Sequence, residues 1–351
     1  MSVEGLPLRP IDRLQAAKDA MLRRFHTRAV LTGEIRLPAV PSMVDEYVSM
    51  CSAVFAGLGK PFSDGELAHL KGVLEGQLAE AYAASTRSQI VISYNATVGP
   101  TLNYTVRAQW NSIAQAYENW LETRQPPLFG TEPDARVWQL SGEVADPASH
   151  RVLEIGGGTG RNALALARRG HPVDVVEMTP KFAEMLRADA DRESLDVRVI
   201  VRDVFAGADD LRDDYQMMVI SEVLTDFRST EQLRSLFELA ARCLAPGGLL
   251  VFNSFLAHDG YEPDAAAREF CQQVYSGLFT RDEMSIATAG LPLQLLSDES
   301  AYDYEKAHLP EGAWPQTSWY PDWAAGLDAF RTSREESPME LRWLVYERTR
   351  Y

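Results

Sequence analysis

RVLEIGGGTGRNALALARRG (151–170) decides the fold. RVLEI (151–155) is a short apolar run of strand type, and Gly156, Gly157, Gly158 and Gly160 crowd the turn after it. NALALARRG then reads as a helix that stops at Gly170. The same alternation continues outward. PVDVVE (172–177), VRVIVRD (197–203), YQMMVIS (215–221) and LLVFNSF (249–255) read as further strands. Helices open between them at Thr179-Pro180 and at Ser229-Thr-Glu-Gln232, the latter running to about Leu244. Strands that alternate with helices predict a doubly wound α/β fold, with a mostly parallel sheet covered on both faces. Thr280-Arg-Asp-Glu283 caps a short helix, and LPLQLLS (291–297) and LRWLVYE (341–347) supply two late strands, giving seven. An aromatic insertion at about 298–340 separates those two, with Trp314, Trp319, Tyr320, Trp323 and Phe330. A connection that long is expected to have a task.

Upstream the texture differs. Residues 43–56 form an apolar-rich helix, and Ser63-Asp-Gly-Glu66 is a capping box before Leu67, Leu70, Leu74 and Leu78 at helical spacing. Trp110, Ile113, Tyr117, Trp120 and Leu121 make a second stripe, and both stripes read as core. Thr131-Glu-Pro133 opens another helix. The expected division is a mainly helical, substrate-covering cap at 1–148 and a sheet domain at 149–351. Such a cap also offers a surface for a homodimer.

The 351 residues carry a net charge of −16, which excludes a broad nucleic-acid surface and polybasic attachment to anionic membranes. Three scattered cysteines fit a reducing compartment and give no zinc pattern; the six histidines show no ligand spacing, so no metal is expected. The N-terminal residues lack an apolar leader and no run reaches 18 apolar residues, so a cytoplasmic protein is expected.

The turn at 156–160 sits where doubly wound folds bind ligands, and an acid ending the second strand, Glu177, is placed for ribose hydroxyls. Gly158-x-Gly160-x-x-Ala163 also satisfies a dinucleotide fingerprint, so an NAD-dependent oxidoreductase remains open at this point. Glu154-x-Gly156-x-Gly158-x-Gly160, Glu177, Arg202-Asp203 and Leu244-Ala-Pro-Gly-Gly248, in that order, resemble the motifs of class I (Rossmann-like) S-adenosylmethionine-dependent methyltransferases. The late strand pair resembles their sixth and seventh strands, the seventh inserted antiparallel. The resemblance spans about 149–351. It implies S-adenosyl-L-methionine as cofactor and S-adenosyl-L-homocysteine as product. It implies that Glu154 and Gly156 border the methionine part while Gly158 and Gly160 allow close backbone approach. Glu177 and Met178 would then lie at the ribose, Asp203 and Val204 at the adenine, and Ser221 near the sulfonium. A non-catalytic protein that only binds an adenosyl ligand is the remaining alternative, and the intact motif counts against it.

The acceptor is less legible. Glu222, in SEVLTDF after the fourth strand, and His258, beside Asp259 after the fifth, are the candidate bases. Cap and insertion are expected to enclose a small-molecule acceptor, with Tyr261 and Trp319 at its pocket. Residues 85–110 read as a polar connection between helices, and Arg87, Tyr94, Tyr104 and Arg107 in it are candidates for gripping an anionic group. Methylation at oxygen, nitrogen or carbon all remain open. One variant is C-methylation of a prenyl diphosphate alkene, with Glu222 as base and Mg²⁺ arriving with the substrate.

Overall fold

The computed structural model describes residues 10–28, 30–99, 101–207 and 210–350. They form two compact units, 1–112 and 113–351, so the division falls at Ser112/Ile113 and not at 148.

The first unit adds a small sheet to its helices. After α1 (Pro10–Arg28) it combines β1 (Leu31–Pro38), α2 (Val44–Gly57), α3 (Asp64–Ala84), β2 (Gln89–Ala96) and β3 (Leu102–Gln109). The three strands make an antiparallel sheet in the order β1-β2-β3. The capping box forms as the sequence predicts, with the Ser63 side chain accepting from Glu66 N–H and the Glu66 side chain from Ser63 N–H. Leu70, Leu74, Leu78 and Ala81 bury one face of α3 against Cys51 and Phe55 of α2 and Ile90 and Ile92 of β2. The stretch read as a connection is thus a hairpin, in which Tyr94 pairs with Tyr104. The rings of Tyr94 and Tyr104 lie 5.8 and 6.3 Å from that of Phe55. Buried Lys60 donates to the carbonyls of Thr97 and Gly99, satisfying groups between the two strands.

The second unit begins with α4 (Ile113–Thr123) and α5 (Ala135–Gly142). It continues through β4 (Val152–Ile155), α6 (Arg161–Arg168), β5 (Val173–Glu177), α7 (Pro180–Glu193), β6 (Val197–Val201) and β7 (Tyr215–Ile220). Next come α8 (Thr230–Cys243), β8 (Leu244–Ala257), α9 (Ala265–Gln273), β9 (Leu278–Phe279) and α10 (Arg281–Thr288). β10 (Leu293–Ser300), α11 (Ala301–His308), α12 (Tyr320–Ala324) and β11 (Met339–Arg348) complete it. The sheet order is β10-β11-β8-β7-β4-β5-β6, with the two-residue β9 added beside β8. β11 is antiparallel to both neighbours, as the resemblance implies.

Alternation along each strand supplies two cores, because successive side chains point to opposite faces. Leu153, Met218, Ile220 and Phe252 pack with α8 and α10 on one face. Val152, Met217, Val219 and Val251 pack with α5, α6, α7 and α12 on the other. Leu244 pairs with Tyr215 and Leu249 with Met217, so residues 245–248 bulge out of the ladder where the sequence marks a turn. Among the described residues no helix is long and apolar enough to cross a membrane.

Candidate active site

Parallel strands β4, β5, β6 and β7 all point the same way, so the segments that follow them converge at one edge of the sheet. A cavity opens there, lined by Glu154 to Thr159, Glu177 to Thr179, Arg202 to Phe205 and Ser221 to Val223. Ile113 and Tyr117 of α4 also line it, with Phe129 and Phe182. Glu154, Gly156, Gly158, Glu177, Met178, Asp203, Val204, Ser221 and Glu222 are therefore brought together.

The Glu177 carboxylate accepts from Gly158 N–H at 2.8 Å and Thr179 N–H at 2.7 Å, which fixes its orientation beside the turn. Burial raises its pKa, while these two donors oppose the shift. Gly158 has φ +54°, and a Cβ there would find only the Phe129 ring, at 3.4 Å; the backbone is open to a ligand. Gly160 is different. It does not line the cavity, and its glycine is demanded by φ +94° and by Leu164 and Leu186, which a Cβ would meet at 2.9 to 3.0 Å. It packs against the first helix turn.

Glu154 Oε2 is buried without a hydrogen-bond partner, and burial pushes the Glu154 carboxyl up to about 8. An amino donor such as the one S-adenosylmethionine carries would satisfy that atom, so the residues present fit the group. Asp203 Oδ1 accepts from Phe205 N–H at 2.9 Å while the residue still lines the cavity. The rings of Phe205 and Phe227, 5.4 Å apart, provide apolar walls beside it.

Deeper lies a charged network. Arg161, with 8% of its side chain exposed, donates to Asp134 at 2.6 Å and to Glu222 at 2.9 Å. Asp134 precedes α5 but does not cap it; its Oδ2 accepts from Ser221 Oγ at 2.7 Å and from Asn162 Nδ2 at 2.9 Å. Glu222 holds φ +60°, and its N–H donates to Asn253 Oδ1 at 2.6 Å. A non-glycine residue in that region carries strain that neighbours must sustain. Burial raises the Glu222 pKa, Arg161 counteracts this, and Asp134 adds to it. Glu305 belongs to the same network, accepting from Trp343 Nε1 at 2.9 Å and Ala135 N–H at 2.8 Å; burial raises its pKa too.

A second cavity, about 610 Å³, is lined by Tyr117, Trp120, Phe129, Tyr275, Trp319 and Trp323 together with Glu222 and Asp328. Glu222, Tyr117 and Phe129 line both cavities. Trp319, one of the candidates for an acceptor pocket, lines this second cavity.

Other candidates lie elsewhere. Half-exposed His258 lines neither cavity and stands 4.0 Å from Glu340, because strand pairing with β11 turns the end of β8 toward that carboxylate. Tyr261 packs edge-on against Phe330 at 6.0 Å and lines neither cavity. Arg87 lies in the turn before β2, and Arg107 stands 3.9 Å from Glu34 on β1. Arg87, Tyr94, Tyr104 and Arg107 all belong to the first unit, whereas every residue lining the two cavities falls in 113–351.

Asp134, Arg161, Phe205, Phe227 and Tyr275 were not singled out from sequence. Phe205 alone had a usable signal, two residues beyond Asp203. Tyr117 and Trp120, read as core, are cavity walls instead: the apolar stripe of α4 faces ligand space.

Residues 152–248 match a family model described as a methyltransferase domain. No curated protein matches the chain. Among solved structures, a geranyl diphosphate methyltransferase in complex with GPP and sinefungin is similar, with 16% identity and a TM-score of 0.49 over 61% of this chain and 77% of that one. Geranyl diphosphate C-methyltransferase from Streptomyces coelicolor A3(2) has 15% identity and a TM-score of 0.48 over 61% and 79%. The StiE O-MT has 14% identity and a TM-score of 0.44 over 62% and 74%. The matched segment runs from β4 into β8 and so contains the strands whose ends form the first cavity; over residues 152–248 this chain matches a methyltransferase domain.

Proposed function

We propose that the protein methylates a small molecule seated in the second cavity, using S-adenosylmethionine held in the first. The observation that carries this reading is that Glu222 lines both cavities. Bound there, the cofactor supplies an electrophilic methyl group on a sulfonium. The protein's own part is alignment, exclusion of water and removal of a proton. Glu154 takes the amino group of the methionine part, Glu177 the ribose hydroxyls, and Asp203 with Val204 and Phe205 the adenine. Met178 borders the ribose and Ser221 the sulfonium.

Glu222 is the base for an acceptor that must lose a proton. Its strained backbone and the Asn253 bond hold it at the junction, and its raised pKa suits proton uptake nearer neutrality than an ordinary carboxylate allows. The three cysteines are buried and unbridged, which supports a reducing, cytoplasmic setting.

Thermal unfolding with S-adenosylhomocysteine, and separately with NAD⁺, tests the cofactor, with Glu177→Ala as control. At 100 times its dissociation constant a ligand adds about 2.7 kcal/mol, a rise of several degrees. A rise with the adenosyl ligand, lost in the variant, supports the reading. A rise with NAD⁺ alone overturns it.

A further inference from the structure

The second cavity is unusual in how its walls divide between rings and charges. Its six aromatic side chains belong to two groups. Trp120 meets Tyr275 edge-on at 5.0 Å and Tyr117 at 4.9 Å. Trp319 meets Trp323 edge-on at 5.4 Å. Edge-to-face neighbours fix one another's planes, so the ring faces are set before a ligand arrives. Trp323 is further held by donating Nε1–H to the carbonyl of Tyr275 at 3.0 Å, and Tyr275 itself sits at φ +56°. Of the three non-glycine residues with positive φ among the described residues, Glu222 and Tyr275 both line this cavity. Strain concentrated at one cavity is a mark of function.

The charges are few and mostly negative. Glu222 and Asp328 share the lining with one guanidinium, Arg124, and among the described residues no lysine or histidine lines the cavity. Arg124 lies over the Trp120 ring at 3.5 Å from its centroid, so its charge is already matched by a π-face. A phosphorylated acceptor would meet the Asp328 carboxylate, a Glu222 already paired with Arg161 and one engaged cation, poor terms for a dianion. Polar capacity remains for neutral groups: Gln316 Oε1 and Thr317 Oγ1 are buried without hydrogen-bond partners. A volume near 610 Å³ admits a molecule of two or three fused rings.

We propose that this cavity selects an uncharged, flat aromatic acceptor bearing the hydroxyl that Glu222 deprotonates, and discriminates against a phosphorylated one. The proposal rests on the methyltransferase reading of the first cavity. In the reaction the acceptor oxygen forms a bond to the methyl carbon as the carbon–sulfur bond breaks. The hydroxyl proton passes to the Glu222 carboxylate, which later releases it to solvent.

Isothermal titration of the full-length protein saturated with S-adenosylhomocysteine tests this, with 2-naphthol, 2-naphthyl phosphate and 1-naphthylmethylamine as probes. 2-Naphthol should bind at least tenfold tighter than its phosphate and no more weakly than the amine. Ser318→Trp, a bulky change at an exposed position of the wall, should weaken 2-naphthol tenfold or more while leaving S-adenosylhomocysteine affinity in place. Asp328→Lys should narrow or reverse the preference for 2-naphthol over its phosphate. Tighter binding of the phosphate or the amine by the unaltered protein overturns the proposal, as does 2-naphthol binding unmoved by Ser318→Trp. If S-adenosylhomocysteine binds and 2-naphthol does not, the acceptor class falls and the cofactor reading stands. If S-adenosylhomocysteine itself fails to bind, the cofactor reading falls first.

Discussion

Asp134 and Glu222 are held by a single guanidinium: Arg161 Nη1 lies 2.6 Å from Asp134 Oδ1, and Nη2 lies 2.9 Å from Glu222 Oε1. The two carboxylates are 88 residues apart in sequence and approach from α5's start and β7's end. One cation therefore ties the helical segment before β4 to the residue that reaches both cavities.

Removing that cation leaves two buried carboxylates uncompensated. Arg161→Met should cost about 3–5 kcal/mol in chemical denaturation, and adding Asp134→Asn to it should restore part of the loss. A cost below about 1 kcal/mol would mean that both carboxylates are better solvated than their burial implies.

With Glu222 as the base, activity requires its ionised form. Because burial raises its pKa, kcat/KM on a proton-losing acceptor should rise with pH along a limb above the ordinary glutamate range. Glu222→Gln should remove that limb and lower kcat by about 10²–10⁴ while S-adenosylhomocysteine still binds. Unchanged turnover in the variant rules out this role for Glu222.

Glu154 links stability to pH. Its native pKa is raised to about 8, so between the ordinary carboxylate range and that value the native state holds a proton the unfolded chain has lost. Its contribution is complete at low pH and disappears as pH rises through that window. Tm measured without ligand should have a shallower downward slope between pH 5 and 8 in Glu154→Gln than in the unaltered protein. Identical slopes would show that the carboxyl is ionised throughout.

Tyr117 Oη donates to Asp226 Oδ2 at 2.7 Å, joining α4 to the segment after β7 beside the first cavity. Tyr117→Phe should weaken S-adenosylhomocysteine binding about tenfold by calorimetry, the scale of one hydrogen bond to a charged group. Global stability should move far less, since the ring's packing is retained. Equal affinity would mean that α4 is held by its rings alone.

The sheet of 113–351 was legible because its strands are short apolar runs and turn glycines separate them from their helices. Glu177 could be placed because a strand-end acid needs only the local pattern. Asp134 could not: the sequence shows it as the residue before a helix, and only the fold brings Asn162, Ser221 and Arg161 to it. The hairpin of β2 and β3 was read as a connection although Gln89–Ala96 and Leu102–Gln109 are rich in β-branched and aromatic residues around Gly99-Pro100. That signal was available; polar residues at half the positions hid it, which is what one open face of an antiparallel sheet produces. Tyr117 and Trp120 show a limit of periodicity, since a stripe that faces a cavity has the same spacing as one that faces a core.

β11 is laid between β8 and β10, yet it is made after both. On a ribosome moving N-terminal first, β8 keeps a bare edge of unpaired backbone until Met339–Arg348 emerge. β11 also carries Trp343, whose indole N–H holds Glu305, so the buried charge network closes only at that moment. Synthesis therefore imposes an order on the fold: β4 to β7 are complete early, and the charge network around Glu222 and Glu305 is finished by the last interior strand, leaving an interval in which a nascent chain depends on protection of that edge.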